Sequence, residues 1–412
     1  LNNDRFDEMV RATGGRRLTR RDLLKRAGYG AGAASLSALL AACGIGGQEP
    51  AGGGSGGGGE SAGFTTDKVT GELNFANWPA YIDKAKGKSP TLEEFSKESD
   101  IKVNYAEVIN ENVSFFSTIR EPLSNGDPVE WDLIVVTDWL ISKMARLGYL
   151  EELDLSLVPN FEANAGALYK DPAYDPGNTH SIPWQSGITG IAYNPELTGR
   201  EITSTEDLFD PKFKGHVGMF SEMRDTMNLI LLGMGVKPED VTIEDVEAAQ
   251  KRLIQQREDE IVRSYYGNDY IQPLNNGDLW LTIAWSGDVL GKTLGKDSKI
   301  KFVVPDEGGI IWVDNLAIPQ NAAHPIDAHE LMNFVYQPEI AAQMTAWINY
   351  ISPVPAAQKI LQKADDSYTR QVANSPLVFP TSEMESRLYY YKNLSEEEEA
   401  EWNDLFDEVV QG

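Results

Sequence analysis

Cysteine is almost absent from this sequence: Cys43 stands alone among 412 residues. That excludes an intramolecular disulfide and every thiolate-cluster zinc or iron–sulfur centre. Histidine is scarce as well. His180, His216, His324 and His329 are scattered and supply no HExxH-type ligand pair, so neither a metal nor another cofactor is expected. Positive charge is the third shortage, with 36 Lys and Arg against 63 Asp and Glu and a net charge of −27. A field of that sign repels phosphate polyanions, so nucleic acid is excluded as a partner. Also missing are a G-x-S-x-G elbow, a Cys/His pair and a phosphate-cradling glycine loop, because the glycines at 52–59 follow no strand. No catalytic residue is assigned.

What is present begins with an address. Six bases (Arg16, Arg17, Arg20, Arg21, Lys25, Arg26) precede an apolar run from Ala27 to Ala42, which is the order of a signal peptide. The run is Gly- and Ala-rich and falls short of the ~20 strongly apolar residues that span a bilayer, which weighs against a transmembrane helix. Thr19-Arg20-Arg21-Asp22-Leu23-Leu24-Lys25 resembles a twin-arginine export motif, and Leu40-Ala41-Ala42-Cys43 resembles a bacterial lipobox. By that resemblance Cys43 is the lipidated first residue of the mature chain; a buried structural cysteine is the alternative. Residues 1–42 carry eight bases and four acids, so their removal takes the net charge to −31. Eleven of the twenty residues from Gly44 to Gly63 are glycine, a composition that behaves as a flexible coil with a reach of about 25 Å.

From Glu72 onward short apolar runs alternate with amphipathic stretches. Strands are expected at Leu73–Trp78, Ile101–Tyr105 and Trp131–Val136, with helices near 90–97 and 113–123. Ser89-Pro90 suits a helix start, and Gly126-Asp127-Pro128 suits a stop. A second series follows, with a strand at Ile188–Tyr193, a helix after Ser221 and another near 243–255, and a strand at Leu279–Trp285. This alternation predicts an α/β fold in two lobes. No internal repeat is visible.

Aromatic residues recur at the ends of expected strands: Trp78 and Tyr81, Trp139, Trp285 and Trp312. Carboxylates stand beside them in Asp138-Trp139, Trp285-Ser286-Gly287-Asp288 and Trp312-Val313-Asp314. Open α/β sheets bind ligands beyond strand C-termini. A wall of indoles and acids suits a ligand that is both cationic and rich in methylenes, with cation–π attraction of roughly 0.5–2 kcal/mol per contact. Linear polyamines fit. Core packing is the plain alternative for any single Trp. Glu222 and Asp225, at i and i+3, share a helix face, where they either serve a site or favour a helix N-terminus capped by Ser221. A glycosidase pair is the sharper rival, but its carboxyls must flank a sugar from two sides. Glu396 to Glu399, after Ser395, reads as a solvated first helical turn.

The same residues carry a family resemblance. Asn77-Trp78-Pro79-Ala80-Tyr81, Asp132-Leu133-Ile134-Val135-Val136, Ser181-Ile182-Pro183-Trp184, Lys214-Gly215 and the stretch Gly308-Gly309-Ile310-Ile311-Trp312-Val313-Asp314-Asn315-Leu316-Ala317-Ile318-Pro319 resemble the spermidine/putrescine-binding receptors of bacterial ABC importers. The likeness runs from about Glu72 to Tyr350, and more weakly beyond. It implies a two-lobed periplasmic-binding-protein fold of type II, with crossover strands near Ile188–Asn194 and Val303–Asp314. It also implies ligand-contacting aromatics at Trp78, Tyr81, Trp139, Trp285, Trp312 and Tyr350, acids at Glu222, Asp225, Asp288 and Asp314, and a hydroxyl contact at Thr137. Asp138 joins the set if it faces the cleft. Pro79-Ala80 replaces a more polar pair, and the contact expected near Tyr389-Tyr390-Tyr391-Lys392 has no clear position.

The resulting expectation is a signal peptide over 1–42, a lipidated Cys43 with linker over 43–66, one lobe from 67–187 plus 313–412, and a second from 188–312. The implied function is a monomeric, lipid-anchored extracytoplasmic receptor. It binds a polyamine, with spermidine favoured over putrescine, and hands it to the permease and ATPase subunits of an importer. A same-fold receptor for another organic cation, or a secreted lipoprotein hydrolase, are the competing readings.

Overall fold

In the computed structural model the described residues are 64, 67–267, 269–293 and 298–411. The expected leader, Cys43 and most of the linker lie outside them. Ten strands form one sheet: β1 (Glu72–Asn77), β2 (Lys102–Glu107), β3 (Leu133–Thr137), β4 (Ser181–Tyr193), β5 (Val217–Phe220), β6 (Val262–Tyr266), β7 (Leu281–Trp285), β8 (Lys301–Val303), β9 (Gly309–Ala317) and β10 (Leu388–Tyr389). Their order is β2-β1-β3-β9-β4-β7-β5-β6, with β8 on β4 and β10 on β9. β1 to β3 pair in parallel, as do β5 to β7. Between these parallel halves run β4 and β9, antiparallel to each other and to their outer neighbours. Among the described residues they are the only connection within the sheet path, so these residues form two α/β lobes sharing two long strands.

The local sequence explains these elements. Leu133-Ile134-Val135-Val136 is wholly buried because helices cover both faces of the parallel half. Leu133 and Val135 enter one first-lobe core with Leu73 and Phe75, while Ile134 and Val136 enter another with Ala76, Phe116 and Ile141. The Pro90–Ser99 helix starts as expected, with Ser89 accepting from the Leu92 N–H and Pro90 in the first turn. Among the described residues no helix is long and apolar enough to cross a membrane.

Three expectations are corrected. The crossing strands are displaced from their expected bounds: β4 begins at Ser181, and the second crossing is β9, starting at Gly309. Lys301–Val303 is a separate short strand, because Gly308 turns the chain with φ 120° before β9 begins. The C-terminal helix Glu396–Gln411 buries its apolar stripe in the second lobe, not the first. Trp402, Phe406 and Val409 form one stripe that enters the second-lobe core with Val246, Ala249 and Leu253. Finally, Glu399 is buried rather than solvated, since its carboxylate meets Lys143 at 3.2 Å and Arg224 at 3.6 Å.

Candidate functional site: a carboxylate cluster between the lobes

β9 carries Trp312 and Asp314 in mid-strand, not at a strand end as expected, because the strand runs unbroken across both lobes. Antiparallel register sets Thr137 of β3 opposite Asp314, and Gly187 of β4 opposite Trp312. Thr137 Oγ1 donates to Asp314 Oδ1 at 2.6 Å, and Tyr81 Oη donates to Oδ2 at 2.8 Å. Glycine is required at 187. A Cβ there would sit 2.2 Å from Cζ2 of Trp312, so the indole lies on bare backbone. Likewise a Cβ at Gly287 would stand 2.6 Å from the Tyr350 ring. Tyr350 in turn packs 5.3 Å from Trp312 and edge-on to Tyr81 at 5.9 Å, centroid to centroid.

The second lobe contributes Asp225, in the first turn of the Met223–Gly233 helix. Thr189 of β4 and Tyr391 donate to its Oδ1 at 2.5 and 2.6 Å, and the Trp285 indole N–H donates to Oδ2 at 2.9 Å. Asp288 follows β7 and accepts from Tyr350 and Tyr270, each at 3.1 Å. Glu222, not Ser221, caps the Met223–Gly233 helix: its side chain accepts the Asp225 N–H at 2.7 Å. A carboxylate offers the exposed amides of a helix start both an acceptor and a favourable charge, and here it displaces the expected hydroxyl.

The electrostatics follow from burial. Burial pushes Asp314 up to about 6 against the pull of Thr137 and Tyr81, and the charge of Asp225 adds to the rise. Glu222 is pushed up to about 7, by burial first and the charge of Asp225 second. Asp225 is raised by burial and held down by its three donors. Burial likewise keeps Tyr81, Tyr350 and Tyr391 well above the ordinary phenol range, so all three are neutral donors. Asp225 and Asp314 thus meet uncharged hydroxyl and indole donors. A carboxylate has about four lone-pair sites, so Asp314, with two donors, keeps capacity for a charged one.

Of the expected site residues, the structure brings Tyr81, Thr137, Glu222, Asp225, Trp285, Asp288, Trp312, Asp314 and Tyr350 together. Trp285 packs against both lobes' cores. Trp78 donates its indole N–H to the Val135 carbonyl at 3.0 Å and lies half-buried between the two first-lobe cores. Asp138 accepts backbone N–H groups from Trp139 at 2.6 Å and Val313 at 3.0 Å, so its carboxylate pins β9. Trp139 has the Arg224 guanidinium 4.0 Å above its ring centroid. Four participants were not assigned from the sequence: Thr189, Tyr270, Arg224 and Tyr391. Only Tyr391 left a signal, as the C-terminal contact without a position. Among the described residues no group of three or more His, Cys, Asp or Glu is arranged to hold a metal ion. Together the rings and acids form a surface that can stack methylenes and neutralise ammonium groups.

Comparison with known proteins gives a consistent result. Residues 91–377 match the family model described as bacterial extracellular solute-binding protein. The spermidine/putrescine-binding periplasmic protein of Escherichia coli is 29% identical over 325 residues, covering 78% of this chain and 86% of that protein. The same organism's putrescine-binding periplasmic protein PotF is 25% identical over 338 residues, covering 78% and 86%. Among solved structures, the spermidine/putrescine ABC transporter substrate-binding protein of Streptococcus pneumoniae superposes with a TM-score of 0.70 at 24% identity, covering 82% of this chain and 98% of that one. The two-lobed architecture with paired crossing strands is the type II periplasmic-binding-protein fold.

Proposed function

This chain belongs to the family of bacterial extracellular solute-binding proteins, and from that premise we propose that it is the extracytoplasmic receptor for a linear polyamine, delivered to an ABC importer. It is a binding protein and carries out no catalytic step. One observation carries the reading: Asp225, Asp288 and Asp314 converge between the lobes, each dressed by hydroxyl or indole donors, inside a wall of Trp285, Trp312, Tyr81 and Tyr350. Asp225 and Asp314 are held by hydroxyl and indole donors that carry no charge, and a flexible chain of methylenes and ammoniums complements both the acids and the rings. The names of the E. coli relatives point the same way.

Within the polyamines we favour spermidine over putrescine. Glu222 adds a fourth acid beside Asp225, and an acid left unpaired in a closed cleft carries a desolvation penalty, so a third ammonium is favourable. The preference should be about tenfold or more, which is ~1.4 kcal/mol. Calorimetric titration of the mature chain with a polyamine series tests both statements. Equal affinities would remove the preference; no polyamine binding, with another organic cation found by native mass spectrometry of protein purified from its source, would replace the ligand class. Anchoring through Cys43 rests on the lipobox resemblance, and Cys43→Ser should release the protein from the membrane fraction.

A further inference from the structure

The acids between the lobes are not uniformly surrounded. Asp225 and Asp314 receive hydroxyl and indole donors. Glu222 and Asp138 feel a full positive charge as well: Arg224 draws both of them downward against their burial. Arg224 is only 5% exposed. Its guanidinium lies 4.0 Å from the Trp139 ring centroid, and its Nη2 lies 3.6 Å from the Glu399 carboxylate. Guanidinium over indole, with a carboxylate alongside, is the same set of interactions that an ammonium group of a ligand makes with an aromatic cage.

We propose that Arg224 is a specificity-determining residue, a resident cation that takes the Trp139 face and closes that end of the cleft to a ligand ammonium. The ligand is thereby confined to the stretch between Glu222 and Asp314, which limits the number of ammoniums accepted. Three observations converge on this. Trp139, an indole beside the acid cluster, has its face covered by a side chain of this same protein. Glu399 fixes Arg224 from outside and is itself held by Lys143 at 3.2 Å, so the guanidinium cannot swing away without breaking an ion pair. The C-terminal helix that presents Glu399 is anchored on the second-lobe core by Trp402 and Phe406, so the whole clamp is set by packing and does not depend on a ligand. A tetraamine would place its fourth charge against a buried like charge, where repulsion is weakly screened.

The inference rests on the polyamine reading, and the test separates the two. Competitive calorimetry with spermidine and spermine is run on the wild-type chain and on Arg224→Gln, with circular dichroism melts to verify folding. Lys143 remains to pair Glu399 in the variant. The wild type should bind spermine no tighter than spermidine, and Arg224→Gln should shift the spermine-to-spermidine affinity ratio towards spermine by about tenfold, the scale of one desolvated cation–π contact. A purely structural clamp would weaken both amines equally and leave the ratio unchanged, and that result overturns the proposal. A second variant, Arg224→Lys, keeps the charge and should keep the wild-type ratio; a ratio matching the Gln variant would also overturn it. If the wild type binds neither amine, the polyamine reading itself fails.

Discussion

Asp314, on β9, and Asp138, at the helix start just after β3, are the same residue type and are 6% and 3% exposed. Their partners differ in kind. Asp314 accepts from two side-chain hydroxyls, Thr137 and Tyr81, which can rotate to admit another donor. Asp138 accepts from two backbone amides, Trp139 and Val313, which cannot move without moving a helix start and a strand. The comparison separates a carboxylate equipped to meet a ligand from one that holds Val313, and hence Trp312 and Asp314 on either side of it, in place. Residue type and local sequence, both acids next to a Trp motif, do not distinguish them.

Binding should show the largest difference. Trp312→Ala removes a methylene-stacking face, and polyamine affinity should fall by about thirty- to a thousandfold, or 2–4 kcal/mol. Asp314→Asn should weaken binding, with little change in thermal midpoint at pH 5, where Asp314 is still mostly protonated. If Asp314→Asn instead binds polyamine as the wild type does, the contrast with Asp138 is lost.

Stability against pH comes next. Asp314, Glu222 and Asp138 have folded values of about 6, 7 and 8, all above the ordinary carboxylate range. In each the unfolded chain gives up its proton first, so the stability they contribute is complete below about pH 4 and is lost as pH rises through 6 to 8. Without ligand, melting temperature should fall between pH 5 and 8.5, while polyamine affinity rises over the same span with release of protons. The Asn variants sharpen this further. Asp314→Asn should flatten the lower part of the curve and Asp138→Asn the upper part; a curve rising with pH in the wild type contradicts the assignment.

Asp138→Asn tests the other half of the comparison. An Asn accepts one of the two backbone N–H groups and leaves the other facing an amide donor, which should destabilise the fold by about 1–3 kcal/mol in denaturant titration. Affinity should change by less than about tenfold. The smallest effect expected is at the Lys143–Glu399 ion pair. Lys143→Met removes one side of an ion pair whose Glu399 keeps Arg224, and the loss should stay below about 1 kcal/mol; a larger loss would mean that this contact carries the docking of the C-terminal helix.

Part of the candidate site is legible in the sequence itself. Trp285 and Asp288, and Trp312 and Asp314, stand in short motifs in which neighbouring side chains carry the ring and the acid, and such pairing survives in one dimension. What was not legible comes from distance along the chain. Thr189 meets Asp225 across 36 positions and Tyr391 meets it across 166, and neither lies in a motif with it. Arg224 is adjacent to Asp225 in sequence, but its role depends on Trp139 and on Glu399, brought from two other segments. The Glu396–Glu399 run reads as solvent-facing because four consecutive acids on a helix start usually are. One of the four is turned inward by the Trp402–Phe406 stripe, which fixes the helix's rotation on the second core.

Sequence alone determined that this is an acidic α/β chain with one cysteine and four scattered histidines, that indoles and acids recur side by side, and that its motifs resemble polyamine receptors. Those properties are local or compositional, and hydrophobic periodicity, charge count and short-range pairing report them directly. Only the tertiary structure decided which acids face rotatable hydroxyls and which pin the backbone, which indole is covered by the protein's own guanidinium, and on which lobe the last helix rests. Each of those depends on strand register across β3, β9 and β4 and on helix rotation against a core. Both are settled by long-range packing, in which a one-residue shift of register sends a side chain to the opposite face.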